Sequence, residues 1–375
     1  MDSQKEKKEK YLVMPDSFKG TMDAITVCSI MHDAIAEKRQ GAEVLNIPIA
    51  DGGEGTVDCF LQSLGGEKIS MSVSGPFGNK IQSFYGKSGD MGIIEMAAAA
   101  GFGPADGKKD PGIATTFGVG ELVMDAVAKG CRKIVIGLGG SCTNDGGAGM
   151  AAALGAAFYD EGGKLFVPSG TTLSRIKDID VTMLRENVKG VSFEIMCDID
   201  NPLFGPSGAA FMFSEQKGAD SRMVKMLDDN LRSYAGMIKE KLDKDVFELP
   251  GGGAAGGMGA GAYAFLDAEM KRGIDVVLDM AEFEKIAADC DAIFTGEGKL
   301  DRQSLGGKAV VGIARRAKKI GIPVIAVVGI AEGDLEAVRE QGITEIYQTA
   351  SSGRTYERKE DYMDALRETM YKILG

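Results

Sequence analysis

The chain has 375 residues, and at roughly 100–200 residues per domain we expect two domains. Hydrophobic residues make up 44% and charged residues 26% of the sequence, a composition typical of a folded protein rather than a disordered one. Asp and Glu total 55 against 43 Lys and Arg, giving a formal net charge of −12. This acidic balance, without a long basic run, argues against nucleic acid or an anionic membrane as a partner.

The cysteines and the histidine exclude further classes of chemistry. None of the six cysteines forms a Cys-x-x-Cys pair, and there is no secretory signal or membrane-length apolar run, so we expect reduced thiols and a cytoplasmic location. The single histidine, His32, lies within a helical pattern, which favours a structural role. Catalysis would therefore use carboxylates, Lys, Arg, hydroxyls and backbone groups.

The two ends of the chain alternate strand and helix. The predicted strands are 11–14, 44–49, 292–295, 324–328 and 345–348, and the predicted helices are 21–39, 57–64, 307–320, 333–341 and 357–374. The middle differs, with strand-like runs at 69–73, 81–85, 92–96, 133–138, 193–197 and 209–213 and helices at 118–128 and 220–241. Regular alternation predicts a parallel sheet covered on both faces, and the middle predicts a mixed α/β unit.

The simplest α/β architecture joins the two ends and inserts the middle. It gives a doubly wound five-stranded parallel sheet from residues 1–68 and 290–375, with a mixed α/β domain, 69–289, inserted. In the strand order 2-1-3-4-5 the switch point lies between strands 1 and 3, and ligands bind beyond their carboxyl ends. The loops at that point would be 15–20 and 296–301, and both are dense in charge and glycine.

The first loop, Asp16-Ser17-Phe18-Lys19-Gly20-Thr21, has two interpretations. It can form a phosphate and hydroxyl site, or a turn in which Thr21 caps the following helix. A second acidic loop carries Asp51 after the strand 44–49. Asp51 is a candidate Mg²⁺ ligand, and the alternative is a flexible turn before the next helix.

The segment 137–149 holds six glycines together with Ser141, Asn144 and Asp145, and it runs from a strand into a helix. Such a loop presents free N–H groups to an anion, although it is not a Walker A motif. Cys142 within it is expected to be a passive thiol, since the one histidine is assigned elsewhere.

Three further segments carry candidates. Asp198 and Asn201 follow a predicted strand and can orient a hydroxyl, hold a metal or form an Asx turn. Gly257 and Gly259 loosely match a dinucleotide fingerprint, but no strand is predicted before them. In the segment 295–308 the carboxylates are candidate Mg²⁺ ligands and Lys308 is a candidate phosphate contact.

Oxygen-rich loops and several cations, without a histidine, suit phosphoryl transfer, which needs positioning, Mg²⁺ and charge neutralisation. An NAD-linked oxidoreductase acting on a hydroxy acid is one alternative, based on the Gly257 loop. A non-catalytic sensor of small acids is the other.

The motifs together resemble the class I bacterial glycerate kinase family, in order and spacing, over nearly the whole chain after Lys10. They are residues 15–20, 50–56, 139–149, 197–203, 216–219 (Gln-Lys-Gly-Ala) and 295–308. The resemblance implies ATP-dependent phosphorylation of D-glycerate, mostly to 2-phosphoglycerate. It also implies a flavodoxin-like domain with a second α/β domain inserted and an active site in the cleft between them.

With this resemblance we assign roles as hypotheses. The catalytic residues would be Lys19, Asp198, Asp16 and Lys308, with the lysines neutralising the phosphoryl group and one aspartate accepting the hydroxyl proton. The substrate would be bound by Ser17, Ser141, Asn144, Asp145 and Asn201. ATP would contact Gly139, Gly140, Gly257, Gly259 and Gly296, and Mg²⁺ would be held by Asp51, Glu297 or Asp301. The expected partners are D-glycerate and ATP, and the expected assembly is a monomer or homodimer.

Overall fold

The computed structural model describes residues 8–50, 52–306, 308–333, 335–350 and 356–375. The chain divides into two compact units. Unit 1 comprises residues 1–51, 62–64 and 274–375, and unit 2 comprises residues 52–61 and 65–273.

The strands are β1 Lys10–Pro15, β2 Glu43–Asn46, β3 Glu67–Ser74, β4 Lys80–Ser88, β5 Met91–Glu95, β6 Lys133–Gly137, β7 Ala157–Tyr159, β8 Leu165–Phe166, β9 Asp178–Asp180, β10 Ser192–Met196, β11 Glu269–Lys271, β12 Ala292–Gly296, β13 Lys299–Leu300, β14 Val324–Val328, β15 Ile330–Ala331 and β16 Ile343–Gln348. The α-helices are α1 Ala24–Lys38, α2 Thr56–Leu64, α3 Ala97–Ala100, α4 Phe117–Ala128, α5 Ala148–Ala153, α6 Thr182–Asn187, α7 Ala209–Phe213, α8 Ser221–Leu242, α9 Ala254–Leu266, α10 Gly273–Met280, α11 Phe283–Ala287, α12 Ala309–Ile320, α13 Leu335–Arg339 and α14 Lys359–Leu374.

The main sheet of unit 1 has the order β16-β14-β12-β1-β2, and all its pairings are parallel. Numbered along the chain, these five strands stand in the order 2-1-3-4-5, so the predicted doubly wound sheet is confirmed. The central strands β1 and β12 are nearly or fully buried along their lengths, as their continuous apolar sequences require of strands covered on both faces. Their register pairs Pro15 with Gly296, so both strands end at the same edge.

Helix α1 begins later than the sequence suggested. Its N-cap is Asp23, whose carboxylate accepts the Thr26 N–H at 2.7 Å, whereas the Thr21 hydroxyl donates to the carbonyl of Phe18. Of the two interpretations of this loop, the one in which Thr21 caps the helix is therefore wrong, because a better cap residue stands two positions later. His32 lies within α1, half-buried, with Nδ1 3.1 Å from Asn46 Oδ1, in keeping with a structural role.

Unit 2 is built on a six-stranded mixed sheet in the order β11-β10-β6-β5-β4-β3. The β3–β4 and β4–β5 pairings are antiparallel, and the pairings from β5 through β11 are parallel. A second, three-stranded sheet has the order β8-β7-β9. The parallel strands β6 and β10 end side by side, since Gly137 pairs with Met196, and this register places the loops after them together.

One predicted strand is wrong: residues 209–213 form helix α7. A five-residue apolar run has no visible period, so a strand and a short helix cannot be told apart from it. The observed pattern is one-sided, with Ala209 and Ala210 buried and Phe211 and Met212 exposed. Within the described residues, no helix is long and apolar enough to cross a membrane.

Candidate active site

Two loops of unit 1 meet at the carboxyl edge of its sheet, one after β1 and one after β12. The backbone N–H of Asp16 donates to the carbonyl of Gly296 at 2.8 Å, directly beyond the last pair of the β1–β12 register. A Cβ at Gly298 would lie 3.3 Å from the backbone nitrogen of Lys19, so the loops also touch further on. The structure thus brings together the two loops that the strand order predicted.

The loop after β1 is a compact turn anchored by a buried phenylalanine. The N–H of Phe18 donates to the carbonyl of Met22 at 2.8 Å, and Asp16 Oδ1 accepts the N–H of Ser17 at 2.6 Å. Asp16 and Ser17 are half-buried, while Lys19 is exposed. The turn therefore fixes a carboxylate and a hydroxyl beside a solvent-accessible ammonium.

Glu297 is the most perturbed carboxyl group of the loop after β12. Its side chain is only 5% exposed, and within the described residues its Oε1 has no hydrogen-bond partner. Burial raises the pKa of Glu297 to about 7, and the neighbouring Asp16 and Asp301 carboxylates add to this rise. The Ser304 hydroxyl and the Lys308 ammonium act in the opposite direction. Three carboxyl groups and a lysine are thus electrostatically coupled in one region.

Ser304 organises this second loop. The side chain is buried, and its Oγ accepts the N–H of Asp301 at 3.2 Å while its hydroxyl also bonds to Glu297. Lys308 follows as the N-cap residue of α12, with an exposed side chain. The predicted phosphate contact therefore stands at the start of a twelve-residue helix, where backbone N–H groups also favour anions.

The fit of a magnesium ion rests on Glu297. Mg²⁺ is usually held by one or two carboxylates, with phosphate oxygens and waters completing the octahedron. A buried carboxylate oxygen without a partner, near Asp301 and Asp16, suits that donor set. Within the described ranges no three His, Cys, Asp or Glu residues form a metal cluster, and Asp51 lies outside those ranges. Binding of Mg²⁺ by Asp51, Glu297 or Asp301 stays a prediction.

In unit 2, Asp145 holds the glycine-rich loop after β6 in shape. Its carboxylate is fully buried and accepts the backbone N–H groups of Thr116, Gly147 and Gly149 at 2.7, 3.2 and 3.3 Å. The Thr116 hydroxyl donates to it as well, at 2.9 Å. Burial raises the pKa of Asp145, while these donors act against the rise. This bonding fits a positioning residue better than a direct substrate ligand.

Lys217 was not among the predicted site residues. Its side chain is only 3% exposed, and its Nζ donates to Ser141 Oγ at 2.9 Å and to the carbonyl of Thr143 at 2.8 Å. Burial lowers the pKa of Lys217 to about 8. The one sequence signal was the Gln-Lys-Gly-Ala motif at 216–219, which helps to carry the family resemblance but does not reveal that its lysine is buried.

The glycine-rich loop after β6 carries fully buried polar atoms that lack hydrogen-bond partners within the described part of the chain. Both amide atoms of Asn144 belong to this group, as does the hydroxyl of Thr143, and the buried Tyr234 hydroxyl on α8 likewise has no partner among the described residues. Buried polar groups are normally hydrogen-bonded, so such a concentration in one loop marks a place where polar partners are expected. Asn144 was a predicted substrate ligand, and its surroundings are consistent with that role.

The loop after β10 presents its two candidates differently. The Asp198 side chain is exposed, and its Oδ1 accepts the N–H of Gly273 at 2.8 Å. Asn201 is half-buried and donates from Nδ2 to the carbonyl of Ser207 at 2.8 Å. Asn201 therefore stabilises its own loop by a bond to a residue six positions later, and its predicted contact with the substrate stays a prediction.

Packing accounts for Gly257 and Gly259 without a nucleotide. A Cβ at Gly257 would lie 2.7 Å from Leu203 Cδ1, and one at Gly259 would lie 2.3 Å from the carbonyl oxygen of Gly251. The described residues 243–253, between α8 and α9, form no strand, which a dinucleotide fingerprint requires. These two observations remove the structural basis of the oxidoreductase alternative.

The other three glycines assigned to ATP differ in accessibility. A Cβ at Gly296 would lie 2.2 Å from the carbonyl of Val327, so packing also explains this buried position. Gly139 is half-buried against the backbone of residues 52–53, while Gly140 is exposed and has a φ of +72°. Contact of these glycines with ATP stays a prediction.

The predicted site residues thus fall into two groups. The loops of unit 1 bring together Asp16, Ser17, Lys19, Gly296, Glu297, Asp301 and Lys308. Unit 2 holds Gly139, Gly140, Ser141, Asn144, Asp145, Asp198, Asn201, Gly257 and Gly259. Carboxylates and lysines at the switch point of a doubly wound sheet define a phosphoryl-transfer type of α/β enzyme.

Comparison with known proteins agrees with this class. Residues 11–374 match the Glycerate kinase family. The chain is 46% identical to a glycerate kinase of Bacillus cereus over 93% of its length and 92% of that protein's. It is 42% identical to a glycerate 2-kinase of Escherichia coli K12, over 92% and 91% of the two lengths. A crystal structure described as glycerate kinase 2 from Salmonella typhimurium LT2 matches 98% of both chains, with a TM-score of 0.88 and 38% identity.

The chain therefore belongs to the glycerate kinase family, as the resemblance indicated, and it is a phosphotransferase.

Proposed function

We propose that this chain transfers the γ-phosphoryl group of ATP to the 2-hydroxyl of D-glycerate, forming 2-phosphoglycerate, with Mg²⁺ as cofactor. The family match over residues 11–374 and the similarity to a glycerate 2-kinase support the substrate and the product. The structural observation that supports phosphoryl transfer is the coupled group of Glu297, Asp16, Asp301 and Lys308 at the switch point.

In unit 1, Lys19 and Lys308 would neutralise charge on the transferred phosphoryl group, and both side chains are exposed for that purpose. Glu297 and Asp301 would hold Mg²⁺ together with phosphate oxygens, and the ion would supply charge neutralisation there. Asp51 remains a proposed third ligand.

In unit 2, Ser141 and Asn144 would bind glycerate oxygens, while Asp145 would keep their loop in shape through its backbone bonds. Gly139 and Gly140 would present backbone N–H groups to an anion. Ser17 of unit 1 and Asn201 remain proposed substrate contacts.

The substrate hydroxyl must lose its proton as its oxygen bonds to phosphorus, and a carboxylate is the expected acceptor. Asp16 and Asp198 are the candidates, and measuring Asp16→Asn and Asp198→Asn separately distinguishes them. Replacing the aspartate that accepts the proton should lower kcat and leave KM for ATP little changed, because that carboxylate acts only in the step in which the proton moves.

The reaction is tested by incubating the protein with ATP, Mg²⁺ and D-glycerate and identifying the product by phosphorus NMR. L-Glycerate and ATP-free samples serve as controls. A 2-phosphoglycerate signal supports the proposal, a 3-phosphoglycerate signal overturns the position of transfer, and no phosphorylated product overturns the function. Lys19→Ala should abolish most turnover, whereas Lys319→Ala, an exposed lysine of α12 in the same unit, should not.

We also propose that residues 1–68 with 290–375 and residues 69–289 are the two domains, which the two compact units support in outline. An active site in the cleft between the domains, a cytoplasmic location and a monomeric or homodimeric assembly stay predictions.

A further inference from the structure

Lys217 is a buried cation without a directly bonded carboxylate. Within the described residues its ammonium group makes no salt bridge, and its two hydrogen-bond acceptors, Ser141 Oγ and the Thr143 carbonyl, are neutral. An ammonium group has three N–H donors, and two of them bond to Ser141 and Thr143 of the loop after β6. Burying a cation costs free energy unless bonds or an opposite charge compensate, so this lysine needs an explanation.

The nearest negative groups do not provide direct compensation. The Asp145 carboxylate acts on the Lys217 charge only from a distance, without a hydrogen bond between the two side chains. The Asp145 oxygens are occupied by Thr116 and by the N–H groups of the loop, and the Cys142 thiol is neutral because burial raises its pKa to about 11. The positive charge that Lys217 places at the loop after β6 therefore has no directly bonded negative group among the described residues.

The bond from Lys217 also determines what Ser141 can do. Ser141 Oγ accepts a hydrogen bond from the ammonium group, so its own hydroxyl hydrogen points elsewhere and remains a donor. Within the described part of the chain this hydroxyl has no acceptor. Asn144 lies three residues after Ser141 and is fully buried. Neither Oδ1 nor Nδ2 of its side-chain amide has a hydrogen-bond partner among the described residues. A charged lysine, a hydroxyl donor and an amide donor are the groups that recognise a carboxylate.

We propose that Lys217 is a positioning residue for substrate: it aims the Ser141 hydroxyl at the carboxylate of the hydroxy acid and balances the charge of that carboxylate. This inference rests on the proposed function and adds to it the part of the substrate that the loop after β6 recognises. Two observations carry it, the paired bonds of Lys217 Nζ to the loop and the unpaired amide of Asn144.

The test compares Lys217→Met, Ser141→Ala and the double variant, with Lys225→Met as the control. Lys225 is an exposed lysine of α8 in the same unit, so its loss changes charge without touching the loop. Lys217→Met should raise KM for D-glycerate about 10- to 100-fold, as expected for a lost charge-assisted bond, with KM for ATP little changed. The double variant should be no worse than Lys217→Met, because the two groups act as one unit.

A purely structural role for Lys217 predicts a different pattern. Thermal stability would then fall while the KM for D-glycerate of the remaining folded protein matched wild type, and that result overturns the inference. If Lys217→Met does not fold, Ser141→Ala decides alone: a raised KM for D-glycerate supports the proposal, and a wild-type KM overturns it. A wild-type protein that phosphorylates no glycerate would instead refute the proposed function, so the two failures are distinguishable.

Discussion

Replacing Asp145 by alanine should cost unit 2 about 3–5 kcal/mol of unfolding free energy. The carboxylate accepts three buried backbone N–H groups, from Thr116, Gly147 and Gly149, and the Thr116 hydroxyl. A buried donor left without an acceptor costs about 1–3 kcal/mol, so three of them set a lower end near 3 kcal/mol. This is a large share of the roughly 5–15 kcal/mol that stabilises an ordinary domain.

Asparagine should cost less than alanine at this position. Asp145 Oδ2 accepts both Thr116 donors and the Gly149 N–H, and a carbonyl oxygen in the same place preserves these bonds. The new NH₂ group would then face only the N–H of Gly147. Asp145→Asn should therefore lose about 1–3 kcal/mol, corresponding to one unsatisfied buried donor.

Urea unfolding followed by circular dichroism measures these losses, and hydrogen exchange at the Gly147 and Gly149 amides localises them. Asp220→Ala is the matched control, because Asp220 is an exposed N-cap that accepts the N–H groups of Arg222 and Met223. Loss of such a cap costs about 1 kcal/mol. If Asp145→Ala is no more destabilising than Asp220→Ala, the reasoning from buried donors is refuted.

Three further predictions follow from single contacts or pKa shifts. Gly118→Ala should destabilise the protein by about 1–3 kcal/mol in urea unfolding, because the new Cβ would lie 2.0 Å from a backbone oxygen of β3. Gly236→Ala is the control: this position in α8 faces open space, so the substitution should stabilise the protein by about 0.5–1 kcal/mol. Cys142 should react slowly with iodoacetamide at neutral pH, because burial raises its pKa to about 11. Glu297→Gln should stabilise the ligand-free protein above pH 7 by about 3 kcal/mol, with exposed Glu340→Gln as the control.

The sign of the Glu297 prediction follows from its raised pKa. Between the ordinary value of 4.5 and about 7 the folded state holds a proton that the unfolded state has released, so stability falls as pH rises through this window. A glutamine at position 297 does not titrate, so the greater stability of Glu297→Gln over the wild type should vanish near pH 4, where Glu297 is protonated in both states. An equal advantage at both pH values would contradict the assignment. A fast-reacting Cys142 or a stabilising Gly118→Ala would contradict the burial and the contact on which those predictions depend.

The parallel sheet of unit 1 was predictable because its strands carry an unmistakable signal. Apolar runs such as Val324–Val328 alternate with amphipathic helices, and right-handed crossovers leave few topologies for five such strands. The strand order then determined which two loops meet, before any side-chain geometry was known. The loops after β1 and β12, with Asp16 and Glu297, followed from this topology.

The arrangement within the loops was not predictable in the same way. Sequence patterns show that Asp145 and Lys217 are polar, but burial and hydrogen-bond partners depend on segments far apart in the chain. Lys217 contacts residues 74 and 76 positions away, and Asp145 bonds across 29 positions to Thr116. No local period in the sequence reports such contacts, so neither the buried bonding of Asp145 nor that of Lys217 could be predicted.

The chain contains 53 glycines among 375 residues, about twice the ordinary usage of about 7%, and the packing of its loops explains many of them. Glycines of unit 2 stand where one loop backbone lies against another: a Cβ at Gly137 would be 2.3 Å from the carbonyl of Gly52, and one at Gly256 would be 2.0 Å from that of Thr143. A side chain at either place would push the loops apart. The glycines therefore allow loops to pack at backbone distance, and Gly256 packs in this way against Thr143 and Asn144 of the loop to which Lys217 donates. The glycine-rich segments of unit 2 therefore determine where the polar side chains of these loops lie.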